Sequence, residues 1–414
     1  MPPSPPPPDT LDNIITQVVD VLDPNANYLT RVHNGFESLY QYARLLPRVL
    51  GPYVKIETAF LKGGALAAQP GYLDNLQPGE KFDSDEECAH CYGLIAEIWP
   101  LLIDSENYLR TNPDAAVKVL DFIDKAAARA RGDDLSRLRH RVIHFVDPTR
   151  TEDFKTKTSR GFKNAFTGRM LCPITKLSDF DADPAGFLRG IRDGVIKIKA
   201  RDWPLFLYDE NMVVPGQVKP GLFRNTQLIK WYQVIFTGPQ SADPDLAESS
   251  KSTGKPSLAK KYGIVRVTPE SICYIAALVR FLLNSQAAWA LKDGHFEGPV
   301  FVRSLMRVFA RNPKWMDTTL KWWNEQVYKT MDDDADEEGL AADLMDREGD
   351  DGEGVAEGDS ENEQGFYAEA EGEEELQYAQ EAARVPTDTY EEEPRGNLAD
   401  GADQRSDADT DSDA

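Results

Sequence analysis

The chain has 414 residues, and its formal net charge of −24 comes from 70 acidic against 46 basic side chains. The acidity is local, since residues 332–414 hold 32 acidic and four basic residues, whereas residues 1–331 hold 38 acidic and 42 basic ones. The whole chain is 41% hydrophobic, and most of these residues lie in the first 331 positions. This part can bury one large core or two smaller ones, which excludes a wholly disordered chain.

The N-terminus and the cysteine count indicate the compartment. Residues 1–10 are rich in proline and have neither a basic nor an apolar signal region, so we expect a disordered lead and no secretory signal. The longest apolar run, Ile272 to Val279, falls far short of the roughly 20 residues that span a bilayer. Four cysteines are too few for a disulfide framework. These features predict an intracellular protein, in the cytoplasm or the nucleus, without a membrane partner.

Residues 11–146 are predicted to form an N-terminal helical region. Apolar residues recur at helical spacing in Leu11–Leu22 and again in Tyr28–Leu50, where Pro47 predicts a kink or an end. Ser84 opens the sequence SDEE, a capping box that predicts a third helix running to about Trp99.

Two further helices are predicted before residue 146. Asn112 and Pro113 offer a cap and a first-turn proline for a helix that ends near Gly132. Asp133 or Asp134 would then cap another helix through Val146.

Residues 147–331 are predicted to form a second helical domain that begins with a loop-rich connector. Gly, Pro and Asp are frequent up to Gly221, with one short helix at Pro184–Arg192 and a short strand at Val195–Lys199. Residues Ser241–Lys261 are polar and predict an exposed, mobile loop. Periodicity and capping residues predict four more helices, namely Leu222–Phe236, Pro269–Asn284 behind Thr268, Pro299–Arg311, and Pro313–Met331 behind Asn312.

The overall prediction is a mainly α protein, with a helical bundle body, a loop-rich middle segment and a disordered acidic C-terminal tail at residues 332–414. The tail has no lysine and four aromatic residues, too few to offset its chain entropy. Two apolar islands interrupt its acidity, one at Leu340, Leu344 and Met345 and the other between Phe366 and Tyr378. Such mixtures are typical of activation domains that bind a partner, and the alternative is a solvated spacer.

Five blocks in the second half carry a resemblance to a known family. They are GFKNAFTGRMLCPI, RDWPLFLYDE, GLFRNTQLIKWYQVIFTGPQSA, VTPESICYIAALVRFLLNSQAAW and WWNEQVY. Together they resemble a domain-of-unknown-function family from mushroom-forming fungi, over roughly Gly161 to Tyr328. The resemblance implies a fungal, basidiomycete origin, many related copies per genome and a loose association with mobile elements. It implies no activity, cofactor or catalytic residue.

Histidines and cysteines in the first half of the chain have the side-chain types of a zinc site. Its ligand types would come from Cys88, His90, Cys91, His140 and His144. The two cysteines also lie on the apolar side of their helix, where a free cysteine packs as a small hydrophobic residue. Arginines flank His140, and their positive charge would repel a Zn²⁺ ion. We therefore expect helix packing, and we predict no metal and no cofactor.

Sequence motifs for catalysis are missing. Neither G-x-S-x-G nor a phosphate-binding G-x-x-x-x-G-K-S/T is present. Asp202, Asp209 and Glu210 lie around Trp203 and Tyr208, and such carboxylates suit a metal-assisted hydrolase. Carboxylates in loop-rich segments more often cap helices and turns, so we expect no catalytic residue and favour a non-enzyme.

A basic segment from Lys125 to Arg201 suggests contact with nucleic acid. It holds 18 basic and nine acidic residues. The basic residues that alternate with phenylalanines in its middle are Lys155, Lys157, Arg160, Lys163 and Arg169. This mixture suits phosphate contact with base stacking, and the alternative is a solvated face whose phenylalanines point into the core. We also expect the acidic tail to dock on this segment and to compete with nucleic acid.

Arg224, Asn225 and Lys230 are the remaining candidates for ligand contact, because they lie in the helix of the most specific block. The alternative is that they only keep the outer face soluble. Together the features predict an interaction protein that binds a protein partner through its body and its tail. The sequence does not identify this partner, and a basic protein is one option. Two alternatives stay open: a nucleic-acid-associated factor of mobile-element lineage, and a divalent-metal hydrolase near Asp202.

Overall fold

The computed structural model describes residues 36–69, 71, 84–243 and 256–328, which form a mainly α-helical body. The Pro-rich lead, the predicted helix Leu11–Leu22, most of the predicted loop at Ser241–Lys261 and the acidic tail lie outside the described residues. No helix in these ranges combines the length and the apolar character needed to cross a membrane.

The N-terminal helices run as far as residue 139. They are α1 (Phe36–Leu50), α2 (Ile56–Ala67), α3 (Asp85–Ile98), α4 (Pro100–Asp104), α5 (Glu106–Thr111) and α6 (Pro113–Arg139). The predicted cap of α3 is confirmed, because the Ser84 hydroxyl accepts a hydrogen bond from the Glu87 backbone N–H at 3.3 Å. Pro47 lies inside α1, three residues before the helix ends at Leu50.

The chain after residue 140 adds further helices and one small hairpin. The helices are α7 (Arg141–His144), α8 (Ala165–Leu171), α9 (Leu177–Ala182), α10 (Pro184–Arg192), α11 (Thr226–Phe236), α12 (Pro239–Ala242), α13 (Leu258–Tyr262), α14 (Pro269–Leu283), α15 (Gly298–Arg311) and α16 (Pro313–Val327). Strands β1 (Lys292–Asp293) and β2 (Phe296–Glu297) pair antiparallel. The predicted cap of α14 is confirmed as a capping box between Thr268 and Ser271.

Two large hydrophobic cores organise these helices. The first draws buried residues from α1 to α6, between Ala43 and Ala127. The second extends from Leu135 to Tyr328 and is built around α14, in which Glu270 and every later residue are buried. Helix α6 contributes to both cores. The predicted domain boundary between residues 146 and 147 stays a prediction.

A buried ion pair links helices of the two cores. Arg48 of α1 donates hydrogen bonds from Nε and Nη2 to the Asp134 carboxylate of α6, at 2.7 and 2.8 Å. The Tyr274 hydroxyl of α14 donates to the same carboxylate at 2.7 Å. Burial alone would lower the pKa of Arg48, but the Asp134 carboxylate raises it above its usual value.

This pair corrects the predicted break near Gly132. Helix α6 continues without interruption through Gly132 to Arg139, and Asp134 is a buried partner of Arg48 rather than a cap. A glycine inside a helix costs about 1 kcal/mol relative to alanine. Buried residues on both sides of it, including Arg131 and Leu135, anchor the helix and outweigh that cost.

Four other predictions about elements are wrong. Residues Val195–Lys199 form no strand, because no second strand lies beside them within the described chain and Val195 is 81% exposed. The helix expected from Leu222 begins at Thr226, since the left-handed φ of 56° at Phe223 is incompatible with a helix. Asn312 makes no side-chain capping bond to α16. The connector holds three short helices rather than one.

Candidate functional site

A basic groove lies between α15 and the loop of residues 201–219. Its volume is about 250 Å³. The residues that line it are Arg201, Trp203, Val218, Lys219, Val300, Arg303, Ser304, Arg307, Val308, Arg311 and Asn312. Five of them carry a positive charge and none carries a negative one, so we take this groove as the candidate site.

The sequence of α15 explains why its arginines lie together. Phe301, Leu305 and Phe309 recur every four residues and are buried in the second core. Three arginines of the groove, Arg303, Arg307 and Arg311, recur with the same spacing. Residues four apart are neighbours on a helix surface, so one side of α15 packs inward and another presents a row of guanidinium groups.

Hydrogen bonds hold the loop wall against α15. The indole N–H of Trp203 donates to the Ser304 hydroxyl at 2.9 Å. The Lys219 ammonium donates to the Asn312 side-chain oxygen at 2.6 Å. Both bonds join positions about 100 residues apart in the sequence, so the groove is a product of the tertiary fold.

One cation of the groove pairs with a carboxylate, and three others are exposed. The Arg303 guanidinium lies 3.1 Å from the Glu87 carboxylate of α3, with side-chain exposures of 12% and 28%. Arg201, Lys219 and Arg311 are exposed. A concave surface lined by charges of one sign concentrates the field and attracts ligands of the opposite sign.

Most of the predicted nucleic-acid residues have other surroundings. Lys157 is buried, donates from Nζ to the Gln286 carbonyl at 2.6 Å, and has a pKa well below its usual value because of burial and the nearby Arg160 guanidinium. Arg160 is also buried and donates to the carbonyls of Phe154 and Leu282 at 2.6 and 2.8 Å. A phosphate-binding role for these two does not fit this geometry, because both side chains satisfy carbonyl groups in the interior.

The exposed members of that predicted set do not line the groove. Lys155 is exposed and forms an ion pair with Glu152 at 2.6 Å. Lys163 is exposed on a short 3₁₀ turn. Only Arg201, at the end of the predicted basic segment, lines the groove.

Asn225, Arg224 and Lys230 are engaged with the protein itself. Asn225 caps α11 by accepting from the Gln227 backbone N–H at 2.9 Å, and it donates to the Phe206 carbonyl at 2.8 Å. The Arg224 guanidinium lies 4.6 Å from the ring centre of Trp322, and burial lowers its pKa. The exposed Lys230 lies 5.5 Å from the ring centre of Phe145.

The three carboxylates of the hydrolase alternative each have a separate structural partner. Asp202 accepts from the Lys199 backbone N–H at 2.8 Å, as in a turn. Asp209 caps a 3₁₀ turn by accepting from the Asn211 backbone N–H at 3.0 Å. Glu210 forms an ion pair with Arg169.

The residues considered as zinc ligands also take part in helix packing and ion pairs. Cys88 and Cys91 are buried on α3, while His90 lies 2.9 Å from Glu270 and His144 lies 3.8 Å from Asp243. Across the residues that the structure describes, no group of three or more His, Cys, Asp or Glu side chains is arranged to hold a metal ion.

Sequence reasoning missed the groove, although one signal for it was visible. The four-residue spacing of arginines in Gly298–Arg311 predicts a basic helix face. The loop residues carry no such signal, because only the fold brings Arg201 and Lys219 beside that helix.

Comparison with known proteins places the groove inside a recognised domain. Residues 125–328 match the model of a family described as "Family of unknown function (DUF6698)". These 204 of the 414 residues are therefore similar to that family. No curated protein and no solved structure matches the chain significantly.

The DUF6698 domain contains every residue of the groove and all five blocks that carry the resemblance. The predicted resemblance to a family of unknown function is therefore confirmed. The match begins 36 residues earlier than Gly161, at Lys125 in the middle of α6. The fungal origin and the link to mobile elements remain predictions.

Proposed function

We propose that this protein acts by binding, and that the basic groove of its DUF6698 domain is a docking site for acidic segments of protein. The observation that carries the proposal is the lining of the groove, in which five cationic side chains stand beside apolar ones and no acidic residue is present. Such a surface matches a ligand that combines carboxylates with apolar side chains.

The apolar part of the lining supports a peptide ligand. Trp203, Val218, Val300 and Val308 line the groove. Aromatic and arginine side chains are enriched at the energetic centres of protein interfaces. The site of action that we propose is the cytoplasm or the nucleus, where acidic protein segments are available.

Nucleic acid is the second candidate ligand. The row of guanidinium groups on α15 favours it, since arginines contact phosphates well. A groove with one aromatic side chain offers little base stacking, which makes this candidate the weaker of the two.

Charge reversal in the groove tests the proposal. We expect full-length protein to bind a fluorescent peptide of repeated Glu-Glu-Phe triplets, and the double variant Arg201→Glu with Arg311→Glu to bind it about tenfold more weakly. An exposed ion pair contributes roughly 0.2–1 kcal/mol, so reversing two cations costs about 1.4 kcal/mol, which is a factor of ten. Fluorescence anisotropy at physiological salt measures the affinity.

A matched control changes the net charge equally, away from the groove. The double variant Lys118→Glu with Lys197→Glu alters two exposed lysines outside the lining. Its affinity should stay within about twofold of the wild type, since neither lysine lines the groove and exposed charges are screened by salt. Equal losses in both double variants would refute the groove as the site. A random duplex that binds while the peptide does not would favour nucleic acid.

A further inference from the structure

The loop that forms one wall of the groove also exposes apolar side chains. Met212, Val214 and Val218 are 48%, 40% and 43% exposed, and Val218 itself lines the groove. An occupant that covers both parts needs apolar side chains beside a run of negative charge.

The acidic tail contains a segment with this composition. Residues 366–378 read FYAEAEGEEELQY, with five glutamates, no basic residue, and aromatic residues at both ends. The 13 residues around the other apolar island, 336–348, carry the same net charge, from six acidic residues and Arg347, but they contain no aromatic residue. Residues 366–378 match the groove better because no cation interrupts their negative charge and because three aromatic side chains accompany it.

We propose that residues 366–378 of the same chain dock in the basic groove, an inference that rests on the function proposed above. The glutamates face the row of arginines on α15, and the aromatic residues at the two ends contact the apolar lining. An external acidic partner then has to displace the chain's own segment. This site differs from the predicted docking of the tail on residues 125–201, where Lys157 and Arg160 are buried.

The covalent connection is long enough for docking within one chain. Helix α16 starts directly after Asn312 of the groove, and its 15 residues extend about 22 Å at 1.5 Å per residue. The 37 residues between Tyr328 and Phe366 span about 55 Å even if they are wholly helical, and more if they are extended. A connection of this length that behaves as a flexible chain can therefore bring the segment back to the groove.

Zero-length cross-linking tests the contact in the full-length protein. A carbodiimide joins a lysine amine to a glutamate carboxylate, with loss of one water that converts the carbodiimide to a urea. Lys219 lines the groove and supplies the amine. We expect the monomer fraction to contain peptides that join Lys219 to residues 369–375, and the exposed Lys118 and Lys197 to yield at least several-fold fewer such links.

A competition measurement gives a second, independent test. The full-length variant with glutamine at Glu369, Glu371, Glu373, Glu374 and Glu375 should bind the Glu-Glu-Phe peptide about tenfold more tightly than the wild type. A tethered segment has an effective concentration on the order of 1 mM, which exceeds a dissociation constant of about 0.1 mM tenfold. The control replaces five aspartates near the C-terminus with asparagine, at Asp403, Asp407, Asp409, Asp411 and Asp413, and should change affinity less than twofold.

The outcomes separate the two proposals. Equal peptide affinity in the wild type and the glutamine variant refutes docking of residues 366–378 and leaves the function of the groove intact. Failure of the peptide to bind any of these proteins refutes the proposed function itself. Cross-links between Lys219 and residues 369–375 could also occur only in a cross-linked dimer. That result would refute docking within one chain and would indicate docking between two copies.

Discussion

Removing the carboxylate of Asp134 should destabilise the protein by about 4 kcal/mol. In Asp134→Ala the Arg48 guanidinium loses two hydrogen bonds, of 2.7 and 2.8 Å, and the Tyr274 hydroxyl loses one of 2.7 Å. The side chains of Arg48 and Asp134 are 3% and 0% exposed, so water cannot replace the lost partner. Breaking a buried pair by deleting one member costs about 3–5 kcal/mol.

The preceding residue provides a matched control. Asp133 also lies on α6 and also pairs with an arginine of α1, Arg44, at 2.6 Å. Here the side chains are 17% and 48% exposed, and solvent screens the pair. Asp133→Ala makes the same change of helix propensity and should cost about 1 kcal/mol or less.

Urea unfolding followed by circular dichroism measures both variants. A difference of less than about 1 kcal/mol between the two losses of unfolding free energy would refute the role given to burial. The paired substitution Arg48→Met with Asp134→Leu removes both charges at once and should recover most of the loss, because apolar replacements of a buried pair are often neutral. No recovery would mean that Tyr274 or the local packing dominates.

Local signals in the sequence predicted helix starts but failed where a distant partner decides the conformation. Ser84 and Thr268 cap their helices through residues three positions away, so the sequence contains the whole interaction. Gly132 suggested a helix end because glycine is a poor helix former. The sequence does not show that α6 continues, because the residues beyond Gly132 contact helices that are far away in the sequence. Asp134 contacts Arg48 and Tyr274, which are 86 and 140 positions away.

The same reasoning explains the outcome for the basic residues. Lys157 and Arg160 alternate with phenylalanines. This pattern fits either a nucleic-acid-binding surface or a solvated face whose phenylalanines point into the core. Their acceptors, the carbonyls of Gln286 and Leu282, lie 129 and 122 positions away. The sequence cannot show that these carbonyls are near, so composition alone could not distinguish an exposed cation from a buried one.

Two further predictions concern pH and close helix packing. The hydrogen bond to Glu270 raises the pKa of His90, so this histidine stabilises the fold fully below its unfolded pKa of about 6.5 and less as pH rises through its folded pKa. Burial alone would raise the pKa of Glu270, but the hydrogen bond to His90 and other hydrogen bonds lower it below its usual value. The contribution of the Glu270 carboxylate to the free energy of unfolding is therefore lost as the pH falls below about 4.5. Unfolding free energies between pH 5 and 8 should therefore fall less steeply toward high pH in His90→Gln than in the wild type, and parallel curves would contradict this. The packing prediction compares two helical glycines under urea. A Cβ at Gly63 would lie 2.5 Å from the Cys88 carbonyl oxygen, where α2 packs against α3, so Gly63→Ala should cost at least about 1 kcal/mol. A Cβ at Gly132 meets no atom within 4 Å among the described residues, so Gly132→Ala should instead stabilise the protein by about 0.4–1 kcal/mol. If both substitutions shifted stability in the same direction, the close approach of α2 to α3 would not be what requires glycine at position 63.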